Sequence, residues 1–157
     1  MDAKREFLRH TVATLAYRAG KAVRGAPGSF ATFLAPGATR TPAQIVAHMG
    51  DLFDWALSIA KGAQAWQDSP PLEWDAEVRR CFDALGRFDA YLASDAPLGA
   101  PVEQLFQGPV ADALTPTGQL TMLRRLAGAV MRSENYFRAD IVVGRAGLEQ
   151  TPPRREF

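Results

Sequence analysis

A chain of 157 residues, 47% apolar and 22% charged, has the composition of one globular domain with a real core and not that of a disordered segment. Lys and Arg number 18 against 17 acids, a net charge of +1, which excludes the strong basic field of a nucleic-acid or anionic-membrane binder. The seven arginines and four acids of the last forty-one residues are scattered and read as solvated surface. Cys81 is the only cysteine, so disulfide and CxxC chemistry within the chain are excluded too. The first ten residues, MDAKREFLRH, are charged and lack the apolar centre of a signal peptide, and no apolar run is long enough to span a bilayer. The expectation is a cytoplasmic protein that touches neither nucleic acid nor membrane.

The first helix is expected from Ala3 to about Val23, with Leu8, Val12, Leu15, Ala16, Ala19 and Val23 at helical spacing. Gly25-Ala26-Pro27-Gly28 breaks it. Residues 26–40, with Phe30, Phe33 and Leu34, read as a loop apolar enough to lie over the helices as a lid. Thr41 suits an N-cap and Pro42 a first turn, opening a second helix with Ile45, Val46, Met49, Leu52, Phe53, Ala56 and Ile59 inward and Gly62 near its end. After Ser69-Pro70-Pro71 a third helix runs from about Glu73 to Leu92, burying Trp74, Val78, Cys81, Phe82, Leu85, Phe88 and Leu92.

A connection over residues 96–107 leads to a fourth helix. Pro109 is expected at its first position, Arg124 and Arg125 in its last turn and Gly128 just past its end. Pro116 lies inside that helix, where it removes the donor for the Asp112 carbonyl at a cost of ~3 kcal/mol. Ser133 is expected to cap a short fifth helix, Glu134 to Val143, closed by Gly144, before a tail with Pro152-Pro153 that reads as an extended arm. The pattern predicts an all-α four-helix bundle with a short extra C-terminal helix over residues 1–146, and an extended tail over residues 147–157.

Bundles build their sites from inward polar side chains on facing helices. Here these are His48 on the second helix and Asp112 on the fourth, good ligand types for Zn, Ni or Fe but only two of the three that a catalytic zinc site uses. Each has a plainer reading, His48 as a core or pocket residue and Asp112 as a complement to the helix dipole. Asp51, one turn after His48, is either a partner orienting it or a solvated residue. Trp55, Trp66 and Trp74 suit a pocket wall or the core, Cys81 is a buried apolar filler, and His10 lies off the apolar stripe, on the surface. Phosphate loops, G-x-S-x-G elbows and HExxH motifs are absent.

Two stretches, TPAQIVAHMGDLFDWAL and DALTPTGQLTMLRRLAG, resemble the histidine-bearing second helix and the ligand-then-Gly-Gln helix of the DinB-like (DinB/YfiT) superfamily, bacterial four-helix-bundle metalloproteins. The resemblance covers roughly residues 1–146. It implies three histidines, or two and an acid, around a divalent metal. His48 matches the histidine of the second helix, Asp112 the first ligand of the fourth as an acidic substitute, and Gly118-Gln119 the Gly-Gln pair. Pro116 falls on the third ligand position and has no donor atom. The resemblance also implies pairing of two copies through unspecified helix faces, and a cleft shared by His48 and Asp112 that takes a small molecule or thiol, with Asp51, Trp55 and Gln119 as further pocket residues.

Two functions compete on this reading. One is a binding or scaffolding bundle with a degenerate metal site, holding at most a weakly bound Zn, Ni or Fe through His48, Asp112, water or Gln119. The other is a metal-dependent enzyme of the DinB/YfiT type, a thiol-dependent S-transferase or a hydrolase, using His48 and Asp112. The loss at position 116 puts the first ahead and leaves the enzyme question open.

Overall fold

The computed structural model describes residues 2–157. Helix α1 is Ala3–Val23, capped by Asp2, whose side chain accepts from the Lys4 N–H, and it buries the expected stripe from Leu8 to Val23. Helix α2 is Pro42–Ala60; Thr41 and Gln44 form a full capping box at its start, satisfying two end donors reciprocally. Helix α3, Trp74–Ala93, buries Val78, Cys81, Phe82, Leu85, Phe88 and Leu92.

The fourth rod differs from expectation at its start. It begins with a single turn, α4 (Val102–Leu105), passes through a π-turn (Phe106–Val110) and continues as α5 (Ala111–Leu126). Pro109 therefore lies inside the rod and not at its first position. Its ring disfavours the helical conformation for the residue before it, and Gly108 takes φ −82°, ψ −106°, which kinks the rod there. Pro116 sits buried inside α5, which continues past it to Leu126; Asp112, whose carbonyl loses its donor, is exposed.

The expected fifth helix over residues 134–143 is only a 3-10 turn, Tyr136–Arg138, capped by the Asn135 side chain. Ser133 does not cap it: its carbonyl accepts from the Phe157 N–H at 3.0 Å and its hydroxyl from Arg125. Glu134 forms an isolated antiparallel bridge with Glu156, and its side chain is drawn inward to Tyr17 and Lys21. That inward pull holds the segment extended, and the β-branched run Ile141-Val142-Val143 adds little helical preference. The tail is extended as expected but turns back on the body, with the Asn135 N–H donating to the Arg155 carbonyl at 2.9 Å.

Side-chain contacts fix the helix directions. Arg5 bonds the Leu92 and Tyr91 carbonyls while Gly20 abuts Phe82, so α1 and α3 run antiparallel. Arg80 reaches Asp51 and Arg87 reaches Asp54, so α2 and α3 run parallel. Lys4 pairs with Glu103 and Arg124 reaches the Ala22 carbonyl, so α1 and α5 are parallel too. The bundle is thus up-down-down-up, and residues 61–73 must carry the chain back the full length of α2. Residues 24–41 form the other long connection; Phe30 on it is buried and meets Trp74 edge-to-face at 5.7 Å, as expected of a lid, whereas Leu34 stays exposed. Leu8, Leu15, Met49, Phe53, Leu85, Phe88, Leu105 and Leu120 fill the shared core. Among the described residues no helix is long and apolar enough to cross a membrane.

Candidate functional site

The return of residues 61–73 along α2 builds the environment of His48. His48, Asp51 and Trp55 occur on successive turns of α2, and the crossover is pinned over them at three points. The Ser58 hydroxyl accepts from the Ala65 N–H at 3.0 Å, Trp66 lies edge-on to both Trp55 (5.9 Å) and His48 (5.7 Å), and the Ser69 N–H donates to Asp51 Oδ2 at 2.9 Å. His48 is left half-buried, opening on a polar cavity of about 290 Å³ lined by Thr39, Arg40, Gln44, Asp51, Asp68 and Ser69 among others.

Asp51 has neither of its expected roles. It is buried, not solvated, and its carboxylate is committed to Arg80 and the crossover: Oδ1 accepts from Arg80 Nη1 at 3.0 Å while Oδ2 takes the Ser69 N–H. Arg80 also donates to Glu77 at 2.6 Å and to the Ala47 carbonyl at 2.7 Å. Burial works against the Arg80 charge, but the hydrogen bonds to Glu77 and Asp51 outweigh it and hold its pKa above the ordinary arginine value. Asp51 does line the His48 cavity, as a pocket residue should. Trp55 is half-buried, with Gly108 of the kink against its ring.

From α5, Asp112 is exposed, Pro116 is buried, and Gln119 lines a second cavity of about 400 Å³ with Gly37, Ala38, Ile45 and Leu123. Thr39 and Arg40 line both cavities, so the two meet at this short segment of the lid, but Asp112 and Pro116 line neither. Among the described residues no three His, Cys, Asp or Glu side chains converge in a way that could hold a metal ion. With Asp51 committed and Pro116 devoid of a donor atom, the residues present do not make the three-ligand set of a catalytic zinc-type centre.

The remaining chemistry-bearing residues fall as follows. His10 is exposed on α1, as expected, with its carbonyl taking the Thr14 hydroxyl. Cys81 is buried in the core, where desolvation pushes its thiol up and keeps it protonated and inert, so it is the apolar filler expected.

Two polar constellations escaped sequence reasoning. Glu134, buried, accepts from the Tyr17 hydroxyl at 2.6 Å and from Lys21 Nζ at 2.8 Å, and Lys21 also donates to Glu156 at 2.6 Å. The available signal was a tyrosine and a lysine one turn apart on the inner side of α1. Arg124, buried in the last turn of α5, donates to the carbonyls of Ala22, Arg24 and Ala129, joining the ends of α1 and α5. No family model, curated protein or solved structure matches the chain.

Proposed function

We propose that this chain is a DinB-like bundle that has kept the helices and lost the ligand set, and works in the cytoplasm as a binding or scaffolding domain. The observation that carries the reading is position 116: a buried proline, without a donor atom, stands where the resemblance calls for the third ligand. The exposure of Asp112 and the engagement of Asp51 by Arg80 and Ser69 support it. Pro116→His tests it. Restoring a ligand there raises the affinity for Zn or Ni, measured by competition with a chromophoric chelator; a variant that binds no better than the parent overturns the positional match to His48 and Asp112.

A second reading, the DinB/YfiT-type metal-dependent S-transferase or hydrolase using His48 and Asp112, has one observation for it and one against. The half-buried imidazole of His48 opens on a polar cavity with Asp68 and Gln44, but Asp112 does not line that cavity. His48→Ala separates the two, since the enzyme reading requires that it abolish any thiol-transfer or hydrolytic turnover. Pairing of two copies through helix faces remains part of either proposal.

A further inference from the structure

A third cavity, of about 380 Å³, lies where α1, α5 and residues 131–136 meet, and none of its lining residues belongs to the His48 cavity. It brings together the guanidinium groups of Arg18 on α1 and Arg125 on α5 with the Ser133 hydroxyl, against a wall of Met122, Met131 and Tyr136. Neither guanidinium belongs to any ion pair among the described residues.

Both are nevertheless positioned. The Arg18 guanidinium lies over the Tyr136 ring, 4.7 Å from its centre, and Tyr136 in turn meets Tyr17 edge-to-face at 6.2 Å. Arg125 Nη2 donates to the Ser133 hydroxyl at 3.1 Å, which leaves that O–H free to donate outward. The acid in the wall, Glu134, turns its carboxylate toward α1, where its two oxygens accept from Tyr17 and from Lys21. The cleft therefore presents two cations and a hydroxyl donor beside sulfur and aromatic surface.

We infer that this cleft binds a small organic anion, a carboxylate or phosphate monoester on an apolar body, with the oxyanion between Arg18 and Arg125 and the body against Met122, Met131 and Tyr136. Guanidinium forks match both oxyanions, and hydrogen bonds between charged groups are the strong ones. The thioether and ring wall supplies the contact that an inorganic ion would not use.

Calorimetric titration of the full, untagged chain at low salt with phenyl phosphate, benzoate and inorganic phosphate tests this, with methyl NMR of Met122 and Met131 locating the site. Saturable binding of phenyl phosphate or benzoate that moves both methyl signals is expected. The tighter of the two tells a phosphate ester from a carboxylate. Arg18→Gln and Arg125→Gln each weaken it at least about tenfold, whereas Arg132→Gln, outside the cleft, leaves it unchanged. Both guanidinium side chains are on exposed residues, so the variants keep the parent's thermal unfolding. The inference fails if neither organic anion saturates up to about 10 mM, if inorganic phosphate binds as well as phenyl phosphate, or if both arginine variants bind like the parent.

Discussion

Asp51 on α2 and Arg80 on α3 meet at 3.0 Å, and the same carboxylate holds the Ser69 N–H at 2.9 Å. One side chain thus joins two parallel helices and clamps the crossover that roofs His48. Removing it leaves Arg80 with Glu77 and the Ala47 carbonyl, and the Ser69 N–H without a partner. Asp51→Ala lowers the unfolding free energy by about 1–3 kcal/mol, read by urea denaturation, since it strands the Ser69 N–H and takes one of two carboxylates from Arg80. The loosened crossover also parts Trp66 from Trp55, and the uncovering of the half-buried Trp55 ring shifts the tryptophan fluorescence to the red. An unshifted spectrum with unchanged stability would mean that the clamp does not hold the roof.

The network of Lys21, Tyr17 and Glu156 makes attachment of the C-terminal segment pH-dependent at both ends. Burial works against the Lys21 charge, but hydrogen bonds to Glu134 and Glu156 raise its pKa overall; burial first, then the bond to Glu134, raises that of Tyr17. The folded chain holds both protons more tightly than the unfolded one, so their contribution is complete below about pH 10 and is lost as pH rises beyond it. The bond from Lys21 lowers the Glu156 pKa, so that contribution is present above the ordinary carboxylate range, about 4.3, and is lost as pH falls. Amide protection at Asn135 and Phe157, which close the tail, is greatest between these limits. Lys21→Met removes the Glu156 contribution at the acid end and leaves that of Tyr17 at the alkaline end; a parent profile flat from pH 3 to 11 would contradict the assignment.

Arg124 ties the ends of α1 and α5 through carbonyls, with no ion pair to it among the described residues, and desolvation lowers its pKa. Arg124→Met strands those carbonyls at two helix ends and lowers the unfolding free energy by about 2–4 kcal/mol in urea. Arg124→Lys recovers only part, because an ammonium cannot span the fork of acceptors. Full recovery by lysine would show that charge alone matters here.

The elements legible in the sequence were those set by local chemistry. The apolar stripe of α1, the Thr41–Gln44 capping box and the core face of α3 depend on spacing and short-range bonds, and each lies where spacing put it. What was not legible depends on distant partners. Glu134 reads as a helix start until Tyr17 and Lys21, more than a hundred residues away, draw it inward. Asp51 reads as a solvated residue or as an aid to His48 until Arg80 claims it. Pro109 has the signature of a helix start, but the rod is already formed by Val102 and the proline only kinks it. The cavity beside His48 was not legible: sequence pattern paired His48 with Asp112, which does not line it, and nothing local specifies where the thirteen-residue connection that roofs His48 lies.

Pro116 carries a cost that substitution can release. Pro116→Ala returns a donor to the Asp112 carbonyl, and against ~3 kcal/mol for an interior proline it loses only a small buried ring. A net gain of about 1–2 kcal/mol in unfolding free energy is expected from urea titration. A loss would mean that the ring's packing in the core outweighs the missing hydrogen bond.

The central claim, that the helices outlived the ligand set, is tested most directly by elemental analysis of the protein purified without a histidine tag and dialysed against buffer free of chelator. Well under one equivalent of Zn, Ni or Fe per chain is expected. One full equivalent of any of them, lost on His48→Ala, would contradict it.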